Sequence, residues 1–245
     1  MAKAVTGFRG FADDDCKFFR ALAKHQDRDW FNEHRAEYEE GWAEPMKALL
    51  GEVAAKIDGA YPDVELAPAK VFRLHRDVRF AKDKSPYKTH ASGLLAIQRT
   101  GAVTEVPCAL YLQVGVEAVT KEGSKTPKIE LSRFAGSGQY SMGSEALARY
   151  RAALLDDKRG REVDKLVGKL EKEGFEIGAM EVLKKPPRGV APDHPRARQL
   201  MHKGLMFSYP ELPKGALTDP GLVGWIAAHA KKAAPLVRWL TFATA

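Results

Sequence analysis

The sequence predicts an α+β protein: a mostly antiparallel or mixed sheet from the middle of the chain, flanked by N-terminal and C-terminal helices. Three observations predict it. Apolar residues recur at three- and four-residue spacing towards both ends, the period of amphipathic helices. Between residues 71 and 182 lie several short runs rich in β-branched and aromatic residues, bounded by Gly, Pro, Ser or Lys clusters. The first of these runs follow one another without intervening helical patterns, and parallel strands would need such crossovers. With no repeat, low-complexity tract or convincing linker, residues 1–245 are read as one domain.

The elements follow in order. Asp13 is an N-cap candidate, with Asp14 and Asp15 suited to the positive end of the dipole, ahead of a stripe of Cys16, Phe19, Leu22 and Ala23. Asp29 is a second cap candidate. From Trp30 through His34, Tyr38, Trp42, Met46 and Leu50 to Ile57 the spacing predicts one long helix, kinked at Pro45. Gly59, Pro62 and Pro68 make 59–69 a turn region. Strands are expected at Val71–Phe80, His90–Gln98, Val106–Val119, Ile129–Tyr140 and Phe175–Val182, and a further short one at Leu205–Tyr209. Helices are expected at Glu145–Leu155 and Arg161–Glu173, and a short one capped by Asp193 and running to Met201. Thr218 or Asp219 opens a last helical region carrying Leu222, Trp225, Ile226 and His229. Pro235 is expected to start a separate terminal helix with Leu236, Val237 and Leu240.

Composition narrows the function. The net charge is +7, with 44% apolar and 29% charged residues, which excludes general disorder. No stretch reaches the ~20 apolar residues of a membrane span, so no membrane partner is expected. Residues 1–15 lack the apolar core of a signal peptide. Cys16 and Cys108 alone give no disulfide framework and fit a reducing, cytoplasmic setting.

The charge is unevenly placed. Residues 1–69 hold 9 basic and 14 acidic residues, whereas 70–90 hold 7 and 2 and 184–203 hold 6 and 1. In the first basic island, read as a strand, Phe72, Leu74, Val78 and Phe80 share a face, and Arg73, His75, Asp77 and Arg79 share the other. Arg76 falls on the apolar face and needs a carboxylate, backbone carbonyls or a bound anion as partner. Lys82 to Lys88 reads as a loop stiffened by Pro86, with Tyr87 offering an apolar body and a hydroxyl tip. Ammonium and guanidinium groups together suit phosphate or carboxylate. The opposing interpretation is an internal network in which Asp77 and Asp83 neutralise Arg76 and Lys82 or Lys84.

The run Arg76-Asp77-Val78-Arg79-Phe80-Ala81-Lys82-Asp83-Lys84-Ser85-Pro86-Tyr87-Lys88-Thr89 resembles the signature of domain-of-unknown-function family 2461. Three further stretches are similar to it: Phe18-Phe19 through Trp30-Phe31 to Tyr38; Gly136-Ser137-Gly138 and the following helix with Leu147, Arg149 and Arg151; and Leu183-Lys184-Lys185-Pro186-Pro187-Arg188-Gly189 with Asp193-His194-Pro195. The chain departs from the family pattern at His25-Gln26, where an Asn-Asn-type turn is usual, and in a longer, more charged 117–128 segment. The resemblance implies a compact shared fold and a shared motif, and no particular reaction.

In the second island the prolines keep Lys184 to Gly189 extended. His194 stands at the expected start of the short helix, where free N–H groups receive anions. The expectation is one cationic cleft in which Arg76, Arg79, Lys82, Lys84, Tyr87, Lys88, Lys184, Arg188 and His194 meet an anion, with Asp77 and Asp83 in support. Gly136-Ser137-Gly138 lacks the third glycine of a dinucleotide fingerprint, Gly123-Ser124-Lys125-Thr126 lacks a P-loop's Gly-Lys pair, and the seven histidines form no metal motif. No cofactor, metal or catalytic residue is assigned. The expected partner is therefore a phosphorylated or carboxylated small molecule, bound by a binding module or enzyme. The alternatives are a nucleic-acid binder, permitted by a pI near 9.3 but disfavoured by the acidic first third, and a structural or partner-binding protein whose basic motif is a salt-bridge network. Oligomeric state is not legible.

Overall fold

In the computed structural model, which describes residues 7–79, 83–101, 106–120 and 126–245, the chain folds as an α+β protein around a seven-stranded antiparallel sheet. The expected class is thus correct. Strand order is β1 (Val64–Leu66), β3 (His90–Arg99), β4 (Cys108–Val119), β5 (Lys128–Gln139), β7 (Leu205–Ser208), β6 (Glu176–Gly178), with β2 (Lys70–Val71) also pairing β3. The β4–β5 ladder is the longest, running from Ala109 opposite Gly138 to Val119 opposite Lys128.

The period of two divides each central strand between two faces. Leu95 and Ile97 of β3, and Leu110, Leu112, Val114 and Val116 of β4, are all buried under helices. That cover comes chiefly from α4 (Glu44–Ile57) and α8 (Leu222–Thr244), which lie against the central strands, with α1 (Lys17–Leu22) on β4. Helices α5 (Ser144–Leu155) and α6 (Asp157–Lys172) pack outside α8. The same alternation puts Leu94, Tyr111, Gln113, Phe134 and Met206 on the other face, where no helix among the described residues covers them.

Several expected elements differ, each for a local reason. Asp27 rather than Asp29 caps α2 (Arg28–Glu33), its carboxylate accepting the Trp30 N–H at 2.8 Å. The long N-terminal helix is broken: His34 leaves helical geometry, α3 (Arg35–Tyr38) follows, and a π-helical turn over Glu39–Ala43 leads into α4. Pro45 sits in the first turn of α4, where its missing N–H costs least, so the irregular turn lies just before the proline. Asp193 caps nothing: α7 is Ala197–Met201, and its N-cap position is Arg196, which makes no side-chain capping bond. Pro235 starts no new helix either. It lies exposed inside the continuous α8, whose residues on both sides are buried, and that burial outweighs the ~3 kcal/mol a mid-helix proline costs.

The expected Val71–Phe80 strand shrinks to β2. Beyond it the chain pairs only through the Phe72 N–H to the Ser92 carbonyl at 2.9 Å and an isolated His75–Tyr87 bridge. Asp77 explains the break: its carboxylate folds back onto the Arg79 backbone and guanidinium, which replaces a ladder by a local turn. Phe80, Ala81 and Lys82 lie outside the described residues.

Candidate functional site

The first basic island forms a loop clasped at both ends. The Arg76 guanidinium pairs with Asp83 at 3.0 Å and reaches the Tyr87 carbonyl at 3.4 Å, while its Nε has no acceptor among the described residues. Asp83 also accepts from the backbone and hydroxyl of Ser85, and these bonds, with the Arg76 charge, hold its carboxyl below the usual range. Arg79 is bidentate on Asp77, at 3.0 and 2.7 Å, and that hydrogen bonding lowers the Asp77 pKa. Lys84 donates to the Val78 carbonyl at 2.9 Å. Tyr87 is buried against Phe31, with ring centroids 4.6 Å apart, and its N–H donates to Gln26 Oε1, so its ring serves the core and not a loop surface. For Arg76 and Arg79 the internal salt-bridge interpretation is the geometry found.

The two islands do not form one cleft. Strand register aligns His90, Gly115 and Ser132 at one end of the sheet, and Gln139 with Leu205 at the other. The first island feeds His90 from the β3 edge. The second precedes β7, with Val182 bridging His202 and the Leu183 N–H donating to the Met201 carbonyl. Seven residues of β5 separate the two rows, about 24 Å at ~3.4 Å per residue. Lys184 and Arg188 are exposed, and His194 Nδ1 accepts the Arg196 N–H at 3.1 Å. The expected convergence of Lys184, Arg188 and His194 with Arg76, Arg79, Lys84 and Lys88 is therefore incorrect. Proline-stiffened cations shared a sign and a style of punctuation, and neither property carries spatial information.

What the fold does build is a cavity of ≈ 720 Å³ on the uncovered face of the sheet. Its floor is polar and aromatic: the Tyr111 hydroxyl donates to Gln113 Oε1, and Gln113 Nε2 donates to Ser132 Oγ, each at 2.9 Å. The Tyr111 ring lies 6.0 Å from Phe134 and 6.4 Å from Phe72. Gly136 makes room for that floor, because a Cβ there would stand 2.8 Å from the Phe134 ring. Burial pushes the Tyr111 hydroxyl's pKa up, so it stays a proton donor.

At the cavity's β2 end, Lys70 and Lys88 each hold an ammonium 5.5 Å above the Phe72 ring. Burial, then the charges of Arg73 and Arg76, lower the Lys88 pKa. His90 follows, pushed down to about 4 by burial, Lys88 and Arg76, so its imidazole is neutral at pH 7. Of the expected site residues, Lys88 stands beside the cavity and Arg76 contributes its field. Lys70, Arg73, Tyr111, Gln113, Ser132 and Phe134 were missed. The available signal was the odd-numbered positions of β4 and their even-numbered partners on β5, which are polar or aromatic where a second covered face would be aliphatic. Among the described residues no cluster of His, Cys, Asp or Glu is arranged to hold a metal, and no helix is long and apolar enough to cross a membrane.

Fold and cavity define a class: an α+β protein whose antiparallel sheet is helix-covered on one face and carries a cavity on the other. More particularly, the chain belongs to DUF2461, a family described as a conserved hypothetical protein, whose model matches residues 14–239. No curated protein and no solved structure matches it.

Proposed function

We propose that the chain is a cytoplasmic binding protein for an anionic small molecule, phosphorylated or carboxylated, with a planar or apolar body. The body lies on Tyr111 and Phe134, and the acid group meets Lys70, Arg73 and Lys88. The observation that carries this reading is the pair of ammonium groups over Phe72, an aromatic wall of a cavity whose size falls within the usual range for ligand sites. Cations crowded by one another gain when an anion arrives, and the nearby apolar surface strengthens that attraction. Arg76 and Arg79 already have carboxylates, so they brace the loop and leave binding to the lysines. The two free, buried thiols of Cys16 and Cys108 fit a reducing compartment.

The test is thermal denaturation against aromatic carboxylates, aryl phosphates and their neutral isosteres. A ligand at a hundredfold excess over its Kd stabilises the fold by about 2.7 kcal/mol. Acids are expected to raise Tm, neutral isosteres to do little, and Lys88→Gln to remove most of the response. Equal response to acids and isosteres, or an unchanged response in Lys88→Gln, would sink the proposal.

A further inference from the structure

The geometry points to a planar ligand whose body carries a neutral ring carbonyl, held by Gln113 and Ser132 while Tyr111 fixes the amide between them. This inference rests on the cavity being the ligand site argued above, and it adds which group on the ligand's body is recognised. The lining is mostly apolar, so its polar side chains decide orientation. Three of them, Tyr111, Gln113 and Ser132, form one hydrogen-bonded chain on the uncovered face.

The direction of each bond determines what that chain has left to offer. The Tyr111 hydroxyl donates to Gln113 Oε1, which turns Nε2 towards Ser132. Nε2 carries two hydrogens and gives one to Ser132 Oγ. Its second hydrogen, and the hydroxyl proton of Ser132, a residue 7% exposed, have no acceptor among the described residues. Two unspent donors on neighbouring groups suit one carbonyl oxygen, whose two lone pairs take both. A buried donor without a partner is costly, so an occupant that supplies the oxygen is favoured over one that does not. That oxygen is neutral. Glu117 lines the cavity and pairs with Glu130 across β4 and β5, two residues along from Gly115 and Ser132, and these carboxylates oppose a second acid group there. The ammonium groups of Lys70 and Lys88 stand elsewhere, over Phe72. Phe72, Ser92, Gln113 and Phe134 make one row across the sheet. At ~4.8 Å per strand, Gln113 stands two strands, roughly 10 Å, from Phe72. Acid and carbonyl are thus recognised at separate points of one flat body.

The experiment is isothermal titration calorimetry of the full chain with two matched pairs: fluorenone-2-carboxylate against fluorene-2-carboxylate, and the neutral parents fluorenone against fluorene. The ketone of each pair is expected to bind more tightly, by roughly 5- to 150-fold for two neutral hydrogen bonds. Fluorene is the more apolar body, so a cavity without the donors would reverse that order. Ser132→Ala should cut the preference by roughly 2- to 10-fold. Tyr111→Phe keeps the ring but frees the amide to turn over, so the preference should fall while fluorene-2-carboxylate keeps its affinity. That unchanged affinity also reports an intact cavity in each variant. Equal or weaker binding of the ketones, or a preference unmoved in Ser132→Ala, overturns the inference. A ketone preference with acids no tighter than their neutral parents removes the acid reading and keeps this one. Acids tighter than the parents without a ketone preference do the reverse, and no binding by any of the four compounds removes both.

Discussion

The two faces of the sheet share their strands and differ in everything that leaves the backbone. On the covered face Leu95 of β3, Leu110 of β4 and Phe207 of β7 have no exposed surface, and α4 and α8 lie against the central strands. One residue along, the same strands present Leu94, Tyr111 and Met206 to the cavity, where Lys70 and Lys88 stand over its Phe72 wall. Burial on the first face is apolar and complete, so its stabilisation grows with area at about 25 cal/mol per Å². The second face holds hydroxyls, an amide, half-buried rings and mutually repelling cations, an arrangement that costs stability and makes sense if something else completes it. One backbone thus carries an apolar core on one face and a polar, aromatic cavity on the other, a single residue apart along each strand.

The sharpest way to break this comparison is to truncate neighbours. Leu110→Ala leaves a cavity beneath α8 and should cost about 2–5 kcal/mol in urea unfolding. Tyr111→Ala, next in the chain but on the uncovered face, should cost well under half as much, because water already reaches the half-buried ring. Equal losses would make the second face a core and dissolve the site.

Acid titration separates the faces next. His90 lies on the uncovered face, where burial, Lys88 and Arg76 push its pKa down to about 4. Between pH 6.5 and 4 the unfolded chain binds a proton there that the folded chain refuses. The contribution is therefore fully present above about 6.5 and is lost as pH falls towards 4. Allowing for partial exposure, the loss is on the order of 2–3 kcal/mol. His202, lowered by burial and Arg198, adds a loss of the same sign from the far corner. His90→Gln should flatten most of the slope between pH 7 and 4.5. A slope unchanged in His90→Gln would assign the acid sensitivity elsewhere.

How much of this was legible in sequence depends on which force set each feature. The three central strands were expected at His90–Gln98, Val106–Val119 and Ile129–Tyr140 and occur within two residues of those bounds, because alternation and bounding turns are local signals. Asp13 was expected to cap α1 and does receive the Lys17 N–H, at 3.2 Å, although Cys16, in left-handed geometry, holds the formal cap position. Pro235 was misread because its cost is local while the compensation comes from strands over a hundred residues away. The second island was misplaced for the same reason: the pairing of Val182 with His202 that sends it to the far end is tertiary. Arg76 was the instructive case. Its need for a partner was readable from alternation, and among the three partners named then, the structure supplies a carboxylate and a carbonyl.

The smallest effect tests the sign of the comparison instead of its size. On the covered face every large-to-small change should destabilise. Lys88, on the uncovered face, is held below its ordinary pKa by burial and by Arg73 and Arg76, which means its charge is tolerated and not welcomed. Lys88→Met keeps the chain's length and a sulfur contact to Phe72, and leaves Lys70 over that ring. Removing the like-charge repulsion should stabilise the unliganded protein by about 0.2–1 kcal/mol, read as a higher urea midpoint with an unchanged m-value. The same variant should lose its response to anions. A residue whose removal strengthens the fold and abolishes binding is retained for the ligand, whereas a loss of stability in Lys88→Met would return this lysine to the scaffold along with Arg76 and Arg79.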